Sequence, residues 1–143
     1  MYTKQVSIFL ENRKGRLAEV TSLLKDEGIN IRALSLADMP DLGVLRLIVH
    51  DRGRCLRLLK DHGFAARETD VIAVEMEDKP GGLYRIIEVL DRENINIEYM
   101  YTFSKKHLDS AIAVFKLDDA ARAVDTLKRN GIPILSEDAV ESL

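Results

Sequence analysis

The chain has 143 residues, 46% hydrophobic and 31% charged, with a formal net charge of −3. That composition supports one good core or two small adjoining ones. It argues against a nucleic-acid partner, because such proteins gather Lys and Arg on one face, and here Arg13, Lys14 and Arg16 form the only tight basic cluster. No apolar run approaches the roughly 18–20 residues of a membrane span, and the N-terminal MYTKQVSIFLENR lacks the features of a signal peptide, so no membrane and a cytoplasmic protein are expected.

In chain order, VSIFL alternates with period two and reads as a strand, and Asn12 follows as a candidate N-cap. Leu17, Val20, Leu23 and Leu24 then recur at helical spacing until Gly28. INIRALSL and VLRLIVHD flank MPDLG and read as an antiparallel hairpin. RGRCLRLLKDHG is a second, shorter helix, with Cys55 on its apolar side as a small buried hydrophobe, and FAARETDV is the next strand.

From there the chain repeats itself. Residues 6–31, VSIFLENRKGRLAEVTSLLKDEGINI, align with residues 72–97, IAVEMEDKPGGLYRIIEVLDRENINI, without a gap and at an offset of 66, as from Gly15 to Gly81. Glu11/Glu77, Leu17/Leu83, Leu24/Leu90 and the triplets Ile29-Asn30-Ile31 and Ile95-Asn96-Ile97 are identical. Asn94 stands where Gly28 ends the first helix and is the next best residue for a left-handed turn. The register continues at an offset of 67 through SAIAVFKL and 68 through the DAARAVDTLKRNG helix and a last strand, IPIL. The unit to explain is a duplicated module of about 70 residues, over 1–71 and 72–143.

Each module reads β-α-β-β-α-β, the α+β ferredoxin-like arrangement with both helices on one face of an antiparallel sheet. No Pro-, Gly- or Ser-rich linker separates the modules, since ETDVIAVEM runs almost unpunctuated between them. Side-by-side packing is expected. Ile8, Leu10, Val74 and Met76 share one face and Tyr99 and Tyr101 another, so apolar groups line both sides of the sheet; an uncovered face predicts a homodimer.

Residues arranged for catalysis are few. His50, His62 and His107 fall at a strand end, a helix end and a hairpin loop without metal-ligand spacing, and there is no nucleophile elbow and no phosphate loop. The carboxylates are spread through helix faces and loops, so no acid–base pair stands out. What remains is the strand-to-helix loop of each module, ENRKGRL and EDKPGGL. A glycine at the mouth of a helix lets a ligand approach the backbone, and the free N–H groups and dipole of the first turn favour a small anion such as a carboxylate. Asn12 and Asp78 can cap the helix or accept from an ammonium group. One loop thus offers both halves of an α-amino acid a partner; equally, Gly15 and Gly81 turn the chain and Pro80 starts the helix with no ligand involved.

The pattern of hydrophobic strand, NRKGRL or DKPGGL, amphipathic helix, then GINI or NINI resembles the ACT domain, the small regulatory module found in aspartokinase and phosphoglycerate dehydrogenase. It covers about residues 3–71 and 72–139, with Lys14 where proline is usual, and is similar to the stand-alone tandem ACT proteins of bacteria. The resemblance implies amino-acid ligands at interfaces between ACT units and no catalysis; no cofactor and no metal are expected. Carried over, the ligand-binding positions are Asn12, Arg13, Lys14, Gly15, Arg16, Leu17, Asn30 and Ile31, and Asp78, Lys79, Pro80, Gly81, Gly82, Leu83, Asn96 and Ile97. Tyr99, Met100 and Tyr101 would add a wall for a large hydrophobic or aromatic side chain. The expected output is regulation of a metabolic enzyme through ligand-dependent assembly or contact. Three rivals stay open: an interaction module that dimerises or docks without a ligand; a small enzyme using Asp78 or Glu98 beside Tyr99 or Tyr101; and an RNA-binding sheet, though the signature residues are missing.

Overall fold

The computed structural model describes residues 2–38, 41–104 and 109–143. His107 and the Met39-Pro40 part of the first hairpin turn lie outside them. Eleven elements follow in chain order: β1 (Thr3–Glu11), α1 (Arg16–Asp26), β2 (Ile31–Asp38), β3 (Leu42–Val49), α2 (Arg52–Asp61), β4 (Ala65–Glu77), α3 (Gly82–Arg92), β5 (Ile97–Ser104), β6 (Ser110–Leu117), α4 (Ala120–Arg129) and α5 (Glu137–Glu141). Contacts divide the chain into two compact units, 4–69 and 70–141; Tyr2 and Thr3 group with the second and Ser142 with the first.

The first unit is β-α-β-β-α-β with strand order β2-β3-β1-β4, the early part of β4 lying beside β1. β1 and β3 pair antiparallel with Ile8 opposite Leu45 and Val6 opposite Leu47. These residues point to one face, where Val20 and Leu24 of α1 and Cys55 and Leu59 of α2 complete a closed core. Alternation in the strands and the three-to-four spacing in the helices thus meet on one surface, which is what places both helices on the same side.

The second unit repeats the plan with β5-β6-β4. Ile72 opposes Phe115 and Val74 opposes Ala113, over Ile86 and Leu90 of α3 and Leu127 of α4. Both modules bulge at the same place, between Ile31 and Ala33 and between Ile97 and Tyr99. The IPIL strand is reduced to one antiparallel bridge, Ile134 to Val74, supported by Leu135 N–H donating to the Ala73 carbonyl at 2.8 Å. Pro133 shortens it by lacking a donor, and the chain turns into α5, a helix the sequence pattern did not announce.

Asn94 takes the left-handed conformation expected of it, with φ of 54°. The uncovered sheet face does not exist where it was expected. Ile48, Ile112 and Val114, on the side away from the helices, are buried within a single chain, so the argument from a bare face to a homodimer fails at the sheet centre. Apolar surface shows instead at Leu34 and Leu36, 51% and 54% exposed on edge strand β2 and paired with Leu47 and Leu45 on the helix side. No helix among the described residues is long and apolar enough to cross a membrane.

Candidate functional site

The strand-to-helix loops are built alike. Gly15 and Gly81 are the N-cap residues of α1 and α3, with φ of 94° and 87°, a backbone that L side chains rarely adopt. The expectation that Asn12 and Asp78 cap these helices is corrected: they sit three residues too early, and no side chain caps either helix. Their backbone N–H groups instead donate across the sheet end, Asn12 to the Asp41 carbonyl at 3.4 Å and Asp78 to the Asp109 carbonyl at 3.1 Å. Helices α2 and α4 are capped in the ordinary way. Asp51 Oδ1 accepts from Arg54 N–H at the start of α2, and Asp119 Oδ1 accepts from Arg122 N–H at the start of α4. The same chain thus closes two helix starts with aspartate and leaves those of α1 and α3 without a side-chain cap hydrogen bond.

In the second unit the uncapped start of α3 opens on a groove of about 550 Å³. Lys79, Pro80, Gly81 and Gly82 form its rim on the loop side, and Gly131, Ile132 and Pro133, the turn after α4, form the opposite side. Met76 and Ile86 give it an apolar lining, while Glu75, Glu77, Arg85 and Ser110 give it a polar one. Glu77 is paired with Lys79 at 2.5 Å. The hydrogen bond from Lys79 and its positive charge hold the Glu77 carboxyl below the usual carboxylate range, so it is an anion at neutral pH. Arg85 Nη2 donates to the Asn130 carbonyl at 3.2 Å, linking α3 to the end of α4 beside the groove. Gly82 is required for a different reason from Gly81: a Cβ there would stand 2.1 Å from the Glu77 carbonyl oxygen, so only glycine lets the helix begin this close to the end of β4.

At the loop of the first unit lies a cleft of about 80 Å³, lined by Leu10, Glu11, Asn12, Arg13, Arg16, Leu17, Leu36 and Gly43. Its Arg13–Glu11 ion pair at 2.8 Å repeats the Lys79–Glu77 pair. The Arg16 guanidinium lies 4.5 Å from the centre of the Phe64 ring, and its Nη1 donates to Glu19 Oε2 at 2.6 Å.

The family model for the ACT domain pair matches residues 1–143. The chain belongs to the ACT domain pair family. Among solved structures, this ACT pair is similar to protein BT0572 from Bacteroides thetaiotaomicron, with a TM-score of 0.93 and 38% identity over 100% of this chain and 98% of that one. It shares its fold with the regulatory subunit of aspartate kinase from Thermus thermophilus, at a TM-score of 0.64 and 16% identity over 88% and 90%. A similar match is the aspartokinase alpha and beta subunits, at 0.57 and 16% over 90% and 95%. No curated protein matches its sequence.

Of the residues singled out in the sequence of this ACT pair, Lys79, Pro80, Gly81 and Gly82 come together at the larger groove, and Asn12, Arg13, Arg16 and Leu17 at the smaller cleft. Asp78, Lys14 and Gly15 belong to the same loops and Leu83 to the first turn of α3, where it packs on the second core, but none of them lines either space. Asn30 and Asn96 are held at the opposite end of the following strand pair: Asn30 N–H donates to His50 Nδ1 and Asn96 N–H to Asp118 Oδ1. Ile31 and Ile97 pack on the two cores. Tyr99, Met100 and Tyr101 line neither space, and Met100 packs against the second core. The sequence reading did not offer Glu77 or the lining residues Glu75, Met76, Ile86 and Ser110, nor Arg85 and the Gly131–Pro133 turn, and these last two lie some 50 positions apart and meet only through the fold. The one available signal was the topology: a final strand beside β4 must bring the preceding turn up to the start of α3.

Among the described residues no cluster of three or more His, Cys, Asp or Glu could hold a metal. Cys55 is buried, and burial with the nearby Asp51 charge pushes its thiol up to about 11, far from a reactive thiolate.

Proposed function

We propose that this ACT pair is a non-enzymatic regulatory protein that binds an α-amino acid in the groove of its second unit. The observation that carries the reading is that the uncapped start of α3 opens on a groove of about 550 Å³. A ligand carboxylate meets the positive end of the helix dipole. The ammonium group takes Glu77, and an aliphatic side chain follows Met76, Ile86, Ile132 and Pro133, which replace the aromatic wall expected from the sequence. Binding shifts the population of assembled or enzyme-bound states by its differential affinity for them. The fold shared with the regulatory subunit of aspartate kinase from Thermus thermophilus supports a metabolic enzyme as the target.

A thermal-shift screen against the twenty amino acids and common 2-oxo acids at millimolar concentration tests the reading. A ligand at about 100 times its dissociation constant adds about 2.7 kcal/mol, raising the melting temperature by several degrees, and Gly81→Val abolishes that gain. If nothing shifts the folded protein, the small-ligand reading falls. The interaction-module reading then takes its place, favoured by the exposed Leu34, Leu36 and Leu42.

A further inference from the structure

We propose that the first unit carries its own occupant: Arg16 fills the space that the second unit leaves open as its groove, so each chain binds one ligand, at the second unit alone. The inference rests on the amino-acid reading of that groove and adds its stoichiometry and the residue that sets it.

The repeat makes the comparison position by position. Gly82 stands where the first unit has Arg16, Ile132 where it has Phe64, and Arg85 where it has Glu19. In the second unit the groove passes between Gly82 and Ile132 and is flanked by Arg85. In the first unit those same three positions are joined by one side chain. The guanidinium of Arg16 stacks on Phe64 at 4.5 Å and pairs with Glu19 at 2.6 Å. The side chain is only 18% exposed, and its Nε is buried without a hydrogen-bond partner. A solvated surface arginine has no reason to accept that desolvation; here the aromatic face and the carboxylate compensate it. The second unit's groove of about 550 Å³ takes in Gly82, Arg85 and Ile132, whereas the first unit's cleft of about 80 Å³ is lined by Arg16, Leu17 and Leu36 and by neither Phe64 nor Glu19, the two residues that Arg16 covers. A cation beside the positive end of α1 is not what the helix dipole favours, and Glu19 on the same turn offsets it. Three substitutions between the repeats, each ordinary alone, therefore act together. Arginine supplies the plug, phenylalanine its seat and glutamate its anchor.

Amide spectra read both units at once, because glycines mark both. Each of the twenty amino acids is titrated to millimolar concentration into the full chain while the ¹H–¹⁵N signals of Gly81, Gly82 and Gly131 are compared with those of Gly15 and Gly63. The expected result is that one chemical family moves the first set and not the second, with a calorimetric stoichiometry near one per chain. In Arg16→Gly, or Arg16→Ala if the glycine variant does not fold, Gly15 and Gly63 move as well and the stoichiometry rises towards two. Movement of both sets in the unaltered protein overturns the proposal, as does a folded Arg16 variant that still binds once. If no amino acid moves any glycine, the ligand reading fails. The insertion of Arg16 is then tested separately through its own Nε–H signal. A slowly exchanging resonance displaced by the Phe64 ring, and normalised by Phe64→Leu, supports the plug; a freely exchanging, undisplaced one overturns it.

Discussion

Replacing Gly82 with alanine ought to stabilise the protein if only local rules applied. Gly82 is the first residue of α3 and has no positive φ, and alanine is worth up to about 0.5–1 kcal/mol over glycine in a helix. The structure reverses the sign. A Cβ at this position falls 2.1 Å from the backbone oxygen of Glu77, against the 3.4–4 Å of ordinary contact, and the atom it meets is backbone, which cannot rotate away. Relief requires β4 and α3 to separate by more than about 1 Å, a strain of the overpacking kind that costs about 1–3 kcal/mol. After the helix gain is subtracted, the net loss centres on about 1 kcal/mol, or about 3 °C of melting temperature for a chain of this size. Gly53→Ala is the matched control: it lies in the first turn of α2, and its added Cβ would touch only Arg57 Nη1 at 3.5 Å. That variant should melt about 1–3 °C higher than the unaltered protein. Scanning calorimetry on the three proteins decides the matter. A Gly82→Ala protein that melts at or above the original would show that the loop yields freely and that glycine is not demanded there.

Phe115→Ala removes the largest fully buried side chain of the second core and should cost about 3–5 kcal/mol in urea unfolding. Cys55, with its thiol raised to about 11, should resist a thiol reagent at mildly alkaline pH until the protein is unfolded, when its full equivalent reacts. Lys79→Met should move the Glu77 titration, followed by carbon NMR, upwards towards the ordinary 4.5, because the lowered value rests on the Lys79 hydrogen bond and charge. The sign carries over to stability. A carboxyl with a depressed folded pKa stabilises above its unfolded pKa and loses that contribution as pH falls through the folded value. The Lys79→Met protein should therefore show a weaker acid dependence at this group, and one with the same Glu77 titration as the original would refute the pairing.

The fold was legible because each of its determinants is local and stated twice. The offset of 66 identified the module, and the apolar spacing put Val20 and Leu24 on one helix face and Ile86 and Leu90 on the other. The left-handed turns were coded by Gly28 in one copy and Asn94 in the other. What failed was whatever depended on distance between segments. Asn12 is a good capping residue by type, but the sheet takes its N–H and the loop carries the helix start on to Gly15. Burial of Ile48 and Ile112 could not be inferred from alternation, since alternation says that a face is apolar and not what lies against it. The loop half of the candidate site could be read for the same local reason as the turns. Its other half, Gly131–Pro133 and Arg85, is brought up by the return of the chain after α4 and has no motif of its own.

The boundary between the repeats falls inside a strand: β4 runs unbroken from Ala65 to Glu77, with the first unit ending at Thr69 and the second beginning at Asp70. The second unit also draws in Tyr2, which packs on its core from the far end of the chain, and the first draws in Ser142. A gene fragment cut at the repeat boundary thus does not encode a finished half. The N-terminal piece would end in mid-strand with raw backbone donors and acceptors, an invitation to non-native pairing. The C-terminal piece would lack the tyrosine that closes its interior. Expression of isolated modules, the usual first step in dissecting a duplicated protein, is for this chain a recipe for aggregates, and the two copies are best compared by substitutions within the intact polypeptide.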